Sequence, residues 1–240
     1  MGAIKQPVVS ADRYFLFYLR GAIMLQIPIQ HRGIILREFT DNDIPYVAKI
    51  AATPGFNFYA LMPSTATRAE IEGSAARFVH YAQALQQVTP DTQIRECYKL
   101  AVAEVATPEK LVGYVALDEW SESRGEKRDI GYFTDPAMQG KGYATLASVI
   151  LLEQFFGATT YEYVHATVHP DNTPSRKILQ KLGYQATGAF TKMVRGIVEP
   201  RITLSLHKDD FYAATVAFRD KTTDQNLGKL PARPGELNHV

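Results

Sequence analysis

IGYFTDPAMQGKGYAT, residues 130 to 145, decides how the rest of the 240-residue chain is read. Ile130 to Thr134 reads as a strand, Asp135-Pro136 is a turn signal, and Gln139-Gly140-Lys141-Gly142 opens the apolar run Tyr143 to Phe156, which no proline breaks. Strand, glycine loop and helix N-terminus in succession suit an anion. Glycines let backbone N–H groups approach a ligand, and the helix end adds partial positive charge. The spacing fits a pyrophosphate, although the same glycines would also serve a plain turn. Two common phosphate loops do not match: Lys141 is followed by Gly142 rather than Ser or Thr, and Thr145 stands where a dinucleotide fingerprint needs a third Gly or Ala.

Working outward, Asp129 to Thr134 is the third of three strands, after Cys97 to Ala106 and Leu111 to Trp120, which flank a turn at Thr107 to Lys110. Glu122 to Arg128 reads as a charged surface loop. Further upstream, Ile34 to Phe39 is a strand, Thr40-Asp41 caps a helix over Asn42 to Ala52, and Ser64 to Gln87 has helical spacing in Ile71, Ala75, Phe78, Val79 and Ala82. Downstream, Tyr163 to Val168 is a strand, Thr173 to Leu182 a helix ending at Gly183, and Tyr184 to Arg195 with Arg201 to His207 a final strand pair. This order predicts an α+β fold, a single domain whose mixed, mostly antiparallel sheet carries helices on both faces. The domain is expected over 31–207, with an N-terminal extension at 1–30 and a C-terminal helix and flexible tail at 208–240.

Charge and composition narrow the function. Lys and Arg number 26 against 25 Asp and Glu, a net charge of +1, so no global field draws a polyanion and nucleic acid is not expected as a partner. One cysteine, Cys97, excludes an internal disulfide and a thiolate-rich metal site, and fits a reducing cytoplasm. His165 and His169 lie four strand residues apart, roughly 13 Å, too far to share an ion; no metal is expected. Tyr14 to Ile29 is the most apolar stretch, but Arg20, Gly21 and Pro28 interrupt it short of the roughly 20 apolar residues of a membrane span. Met24 is an alternative start that would open the domain directly. No G-x-S-x-G elbow is present for a hydrolase.

The segment Gln139-Gly140-Lys141-Gly142-Tyr143-Ala144 resembles the Q/R-x-x-G-x-G/A acetyl-CoA signature of the GNAT acetyltransferase superfamily. Asn172-Thr173-Pro174-Ser175 followed by Lys181-Leu182-Gly183-Tyr184 resembles that family's second hallmark, and Leu36 to Asp43 (LREFTDND) its first strand and helix cap. The likeness is nearest to the ribosomal-protein alanine N-acetyltransferases. It implies acetyl-CoA as co-substrate, an amine as acceptor, and a monomer or homodimer. It also implies that the strand residues Tyr132, Phe133 and Thr134 meet the pantetheine arm, that Gln139, Gly140, Lys141, Gly142, Tyr143, Ala144 and Thr145 hold the pyrophosphate, and that Asn172 binds the pantetheine arm with Ser175 near the thioester sulfur. Many relatives carry a tyrosine acid seven residues after the Asn; Leu179 stands there, so Ser175 is the candidate acid.

Direct transfer from a thioester to an amine also needs a route for the amine's proton. Where the ribosomal-protein enzymes carry a glutamate after the second motif, this chain has Val194 and Arg195. Glu199 and Glu119 are the candidate bases, each also readable as a solvated charge at a turn. The aromatic loop Phe56 to Tyr59 either lines the acceptor pocket or covers the core. The expected activity is N-acetyl transfer to a primary amine in a ternary complex. A small-molecule acceptor (antibiotic, polyamine or amino acid) and a non-catalytic acyl-CoA sensor are the alternatives.

Overall fold

Arg37, at the end of the second strand, and Asp43, at the start of the first helix, show how strand and helix are joined. The computed structural model describes residues 27–52, 67–86, 97–119, 128–194 and 197–219. Strand β1 (Ile29–His31) and β2 (Ile34–Arg37) form a short hairpin, so a strand precedes the first one expected. Asp43 closes a single helical turn (Asp41–Asp43) and leads into α1 (Ile44–Ala51), whose first turn contains Pro45. Its carboxylate takes two bonds from Arg37, at 2.7 and 2.8 Å, and one from the Thr40 N–H at 2.8 Å, and it is 1% exposed. Asp43→Ala strands the Arg37 guanidinium in a part-buried site and is expected to cost about 3 kcal/mol, measurable by urea unfolding.

The longer helices follow their sequence signals. Helix α2 (Arg68–Ala84) starts at a reciprocal cap between Thr67 and Glu70 and buries Ala75, Val79 and Ala82. Helix α3 (Tyr143–Ala158) is buried on most of its surface, and α4 (Thr173–Leu182) ends at Gly183, whose φ of 95° is left-handed. Helix α5 (Lys208–Arg219) places Phe211 in the core at 0% exposure.

Strands β3 (Tyr98–Glu104), β4 (Thr107–Glu119), β5 (Arg128–Thr134), β6 (Tyr163–Val168), β7 (Gln185–Val194) and β8 (Ile197–His207) complete a sheet ordered β1-β2-β3-β4-β5-β6-β8-β7. It is antiparallel except at β5–β6, as the predicted fold class requires. One apolar cluster lies between α3, α4, α5 and one face, through Leu117, Ile130, Val164, Leu179 and Phe211. The other lies between α1, α2 and the opposite face, through Phe39, Val79, Tyr114 and Ala116.

Three sequence expectations are corrected. The β3–β4 turn is Val105-Ala106, not Thr107 to Lys110, because Glu104 pairs with Thr107 and Ala103 with Leu111, so β4 absorbs the intervening residues as an irregularity. Arg128 belongs to β5, not to a surface loop; it is 1% exposed with its guanidinium 5.1 Å from the Tyr161 ring. Strand β8 begins at Ile197 rather than Arg201, which takes Glu199 out of a turn and pairs it with Lys192. The apolar segment before residue 27, the Phe56 to Tyr59 loop and the tail beyond 219 lie outside the described residues. Among the described residues no helix is long and apolar enough to cross a membrane.

Candidate functional site

The parallel neighbours β5 and β6 are joined by one registered pair, Asp129 with His165. Beyond it β5 stays paired to β4 as far as Thr134 and β6 to β8 as far as Val168, while the two register no further pair with each other. The sheet therefore opens into a wedge, its vertex at Asp129 and its mouth toward Thr134 and Val168. Backbone groups along such an opening are available to an extended ligand.

The glycine loop follows β5 at this mouth. Asp135 accepts from the Ala137 N–H at 2.9 Å and shapes the turn Pro136–Met138; the Gln139 amide donates to the Thr134 carbonyl at 3.3 Å and ties the loop to the strand end. Gly140 and Gly142 both adopt left-handed backbone, with φ of 78° and 86°, and a Cβ at either would meet no heavy atom within 4 Å. Gly142 is the N-cap of α3, so the N–H groups of Tyr143, Ala144 and Thr145 have no earlier turn of that helix to bond to. The resulting cradle of N–H donors is open and locally positive, a donor set suited to an anion such as a pyrophosphate. Lys141 is exposed above it with Nζ 3.5 Å from Met138 Sδ, Thr145 is buried, and the Tyr143 hydroxyl donates to Glu104 across the loop.

Helix α4 supplies the other side. Asn172 caps it, its side-chain oxygen accepting from the Ser175 N–H at 3.1 Å. Ser175 Oγ lies 3.0 Å from the Tyr132 hydroxyl, which also donates to the Ser175 carbonyl at 3.1 Å. With the phenol proton on the carbonyl, the serine hydroxyl donates to the phenol oxygen. Leu179, where many relatives of the resembled family have a tyrosine, points into the core at 2% exposure. A phenol does reach Ser175, that of Tyr132 on β5. The resemblance places Tyr132 only along the pantetheine arm and gives its hydroxyl no role; strand alternation, which sets Tyr132 with Ile130 on the α3 side, is the signal that points its side chain toward Ser175.

Phe133 lies on the opposite face with Tyr114, their ring centroids 6.3 Å apart. Alternation puts Asp129 and Gly131 on that face too. Asp129 Oδ1 is buried with no hydrogen-bond partner among the described residues, and burial, with the charge of Asp118 adding to it, pushes the Asp129 carboxyl up to about 7, against the opposing pull of Lys192 and the Ile130 N–H. The Tyr184 hydroxyl is likewise buried without a partner, and burial first, then Asp129 and Tyr132, raises it well above the usual phenol range. Sequence reading overlooked Asp129, although an acidic residue within an otherwise mostly apolar strand was its signal.

The two expected bases fare differently. Glu199 bonds Arg201 at 2.6 Å and sits on the part of β8 that runs past the last β6 pair at Ile202. Glu119 ends β4 opposite Arg128, and its side chain lies outside the described residues. The structure thus brings Tyr132, Asn172 and Ser175 together beside the strand end that leads into the glycine loop, while Glu199 is engaged by Arg201.

A family model described as an acetyltransferase (GNAT) domain matches residues 34–185. The chain is 28% identical to the probable N-acetyltransferase YjcK of Bacillus subtilis over 142 residues, 58% of this chain and 74% of that one. Among solved structures it resembles Mycobacterium smegmatis RimJ in complex with CoA-disulfide, at a TM-score of 0.60 and 19% identity, over 78% of this chain and 89% of that one. It also resembles the ribosomal-protein-S5-alanine acetyltransferase of Vibrio fischeri, at a TM-score of 0.57 and 18% identity, over 78% and 99% of the two chains. At these identities the likeness to the two structures is one of fold.

Proposed function

The chain belongs to the GNAT acetyltransferases, and from that premise we propose that it transfers acetyl from acetyl-CoA directly to a primary amine, a protein N-terminus being the favoured acceptor. The observation that carries this reading is the wedge between β5 and β6 with the left-handed glycines 140 and 142 at its mouth. Gln139 to Thr145 would hold the pyrophosphate through backbone N–H groups, with the pantetheine arm along Tyr132, Phe133 and Thr134 and beside Asn172. Acetyl-CoA supplies a thioester whose carbonyl accepts the amine.

The roles of the chain's own groups follow from which face each occupies. Tyr132 and Ser175, on the α3 and α4 side, give a hydroxyl pair able to protonate the departing thiolate. Asp129, on the α1 and α2 side, replaces Glu199 and Glu119 as the base we favour, since Glu199 is held by Arg201. A carboxyl that ionises near neutral pH is matched to taking a proton from an ammonium, directly or through water. Base and acid on opposite faces leave the wedge between them for the reacting carbonyl and amine.

Thiol release from acetyl-CoA with a panel of free amines and of peptides differing at the first residue tests this reading. Release with peptides but not amines supports an N-terminal acceptor; the reverse moves the assignment to a small-molecule amine, and release with neither, despite thermal stabilisation by acetyl-CoA, leaves a binding domain. Ser175→Ala and Tyr132→Phe are each expected to lower kcat by about 10²-fold with KM for acetyl-CoA within a few-fold. Unchanged kcat in both would remove the pair from the mechanism.

A further inference from the structure

Lys99 is held more tightly than any role in the sheet requires. It is a β3 residue whose side chain is 11% exposed, with Nζ 3.0 Å from Asp118 Oδ2 and 5.1 Å from the ring centroids of both Phe78 and Tyr81 on α2. An ammonium set against two rings and one carboxylate has given up the rotamer freedom a surface lysine keeps. It thereby fixes Asp118, and Asp118 is the registered partner of Asp129 across β4 and β5. Directly opposed residues bring their Cβ atoms to about 4.5–5.5 Å, and like charges so placed are destabilising. Each of these two carboxyls also has an Oδ1 that is buried without a hydrogen-bond partner among the described residues. The pair costs stability and sits at the vertex of the wedge, which points to a role in the reaction.

We propose that Lys99 and Asp118 are positioning residues for acetyl transfer: α2 clamps Lys99, Lys99 anchors Asp118, and Asp118 sets how readily Asp129 holds the proton it takes from the acceptor amine. This rests on the reading of Asp129 as the base. Among the described residues, Asp118 from β4, His165 from β6, Lys192 from β7 and Tyr184 after α4 are the other titratable groups around Asp129. Lys192 opposes Asp118, and Lys99 acts through Asp118. Helix α2, which carries no group of the cofactor cradle, is in this way coupled to the chemistry.

The experiment follows the carboxyl carbon of Asp129 by NMR titration in the full chain, with thermal melting to verify folding, in Asp118→Asn, Lys99→Met and Lys99→Arg. Removing the neighbouring charge in Asp118→Asn is expected to shift the Asp129 titration down by about one unit. Lys99→Met, which leaves the Asp118 charge without its counter-ion, shifts it up, and Lys99→Arg returns it toward the parent. Asp118→Asn, nearly isosteric, carries the test if Lys99→Met does not fold. An Asp129 titration in folded Asp118→Asn that coincides with the parent overturns the inference, as does a titration that moves while the acidic limb of the thiol-release rate stays fixed. Failure of the base reading is separate: it shows as an unchanged acidic limb in Asp129→Asn.

Discussion

Gly142→Glu abolishes acetyl-CoA binding, read as complete loss of the thermal stabilisation that saturating acetyl-CoA gives the parent. Two effects add. At φ 86° a residue with a Cβ pays about 1–2 kcal/mol to keep the left-handed conformation, and relaxing it would turn the first N–H groups of α3 away from the cradle. The side chain itself meets no protein atom, because the space above Gly142 is open; what it meets is the incoming pyrophosphate, with a charge of the same sign. The free protein should therefore fold, and binding should fail. Gly142→Ala separates the contributions, since it keeps the backbone strain without the charge and should weaken binding less. A glutamate variant that still binds would make the loop a structural turn and remove the cofactor site from this position.

Asp129→Asn should lower kcat by about 10²–10⁴-fold, remove the acidic limb of the pH profile and leave KM for acetyl-CoA within a few-fold. A second readout follows from the same burial. Because the Asp129 carboxyl is raised from 3.8 to about 7 in the folded protein, folding takes up a proton, so its destabilising contribution is absent below the unfolded value and grows as pH rises through the folded one. Asp129→Asn should accordingly melt higher than the parent at pH above 7, with the gain shrinking as pH falls toward 4. Lower activity with higher stability marks a group retained for chemistry. A variant that is inactive but no more stable above neutral pH would instead indicate a structural role.

How far the residues themselves disclosed this protein depends on the range of the forces involved. Helix α4 and strand β6 begin and end where their caps, periodicity and Gly183 put them, because those signals act within a few residues. The β3–β4 hairpin went against local turn chemistry: Thr107-Pro108-Glu109-Lys110 looks like a turn, yet Val105 and Ala106 make it, since the burial of Leu111 and Val112 on β4 holds the register. Arg128 looked like part of a charged loop because nothing nearby reveals Tyr161, whose ring it meets.

The sequence by itself determined the class of fold and the place of the glycine loop to which we assign the cofactor, because a glycine loop between a strand and a helix N-terminus is a local object whose donors are its own backbone. Only the tertiary structure decided which side chains complete the site. Tyr132 meets Ser175 across 43 residues, and Asp129 meets Asp118 and His165 through strand register. Register has a period of two, so sliding one strand by a single residue would turn each of these side chains to the other face of the sheet. What holds the register is the sum of the two apolar clusters on its faces, and that sum belongs to no single segment of the chain.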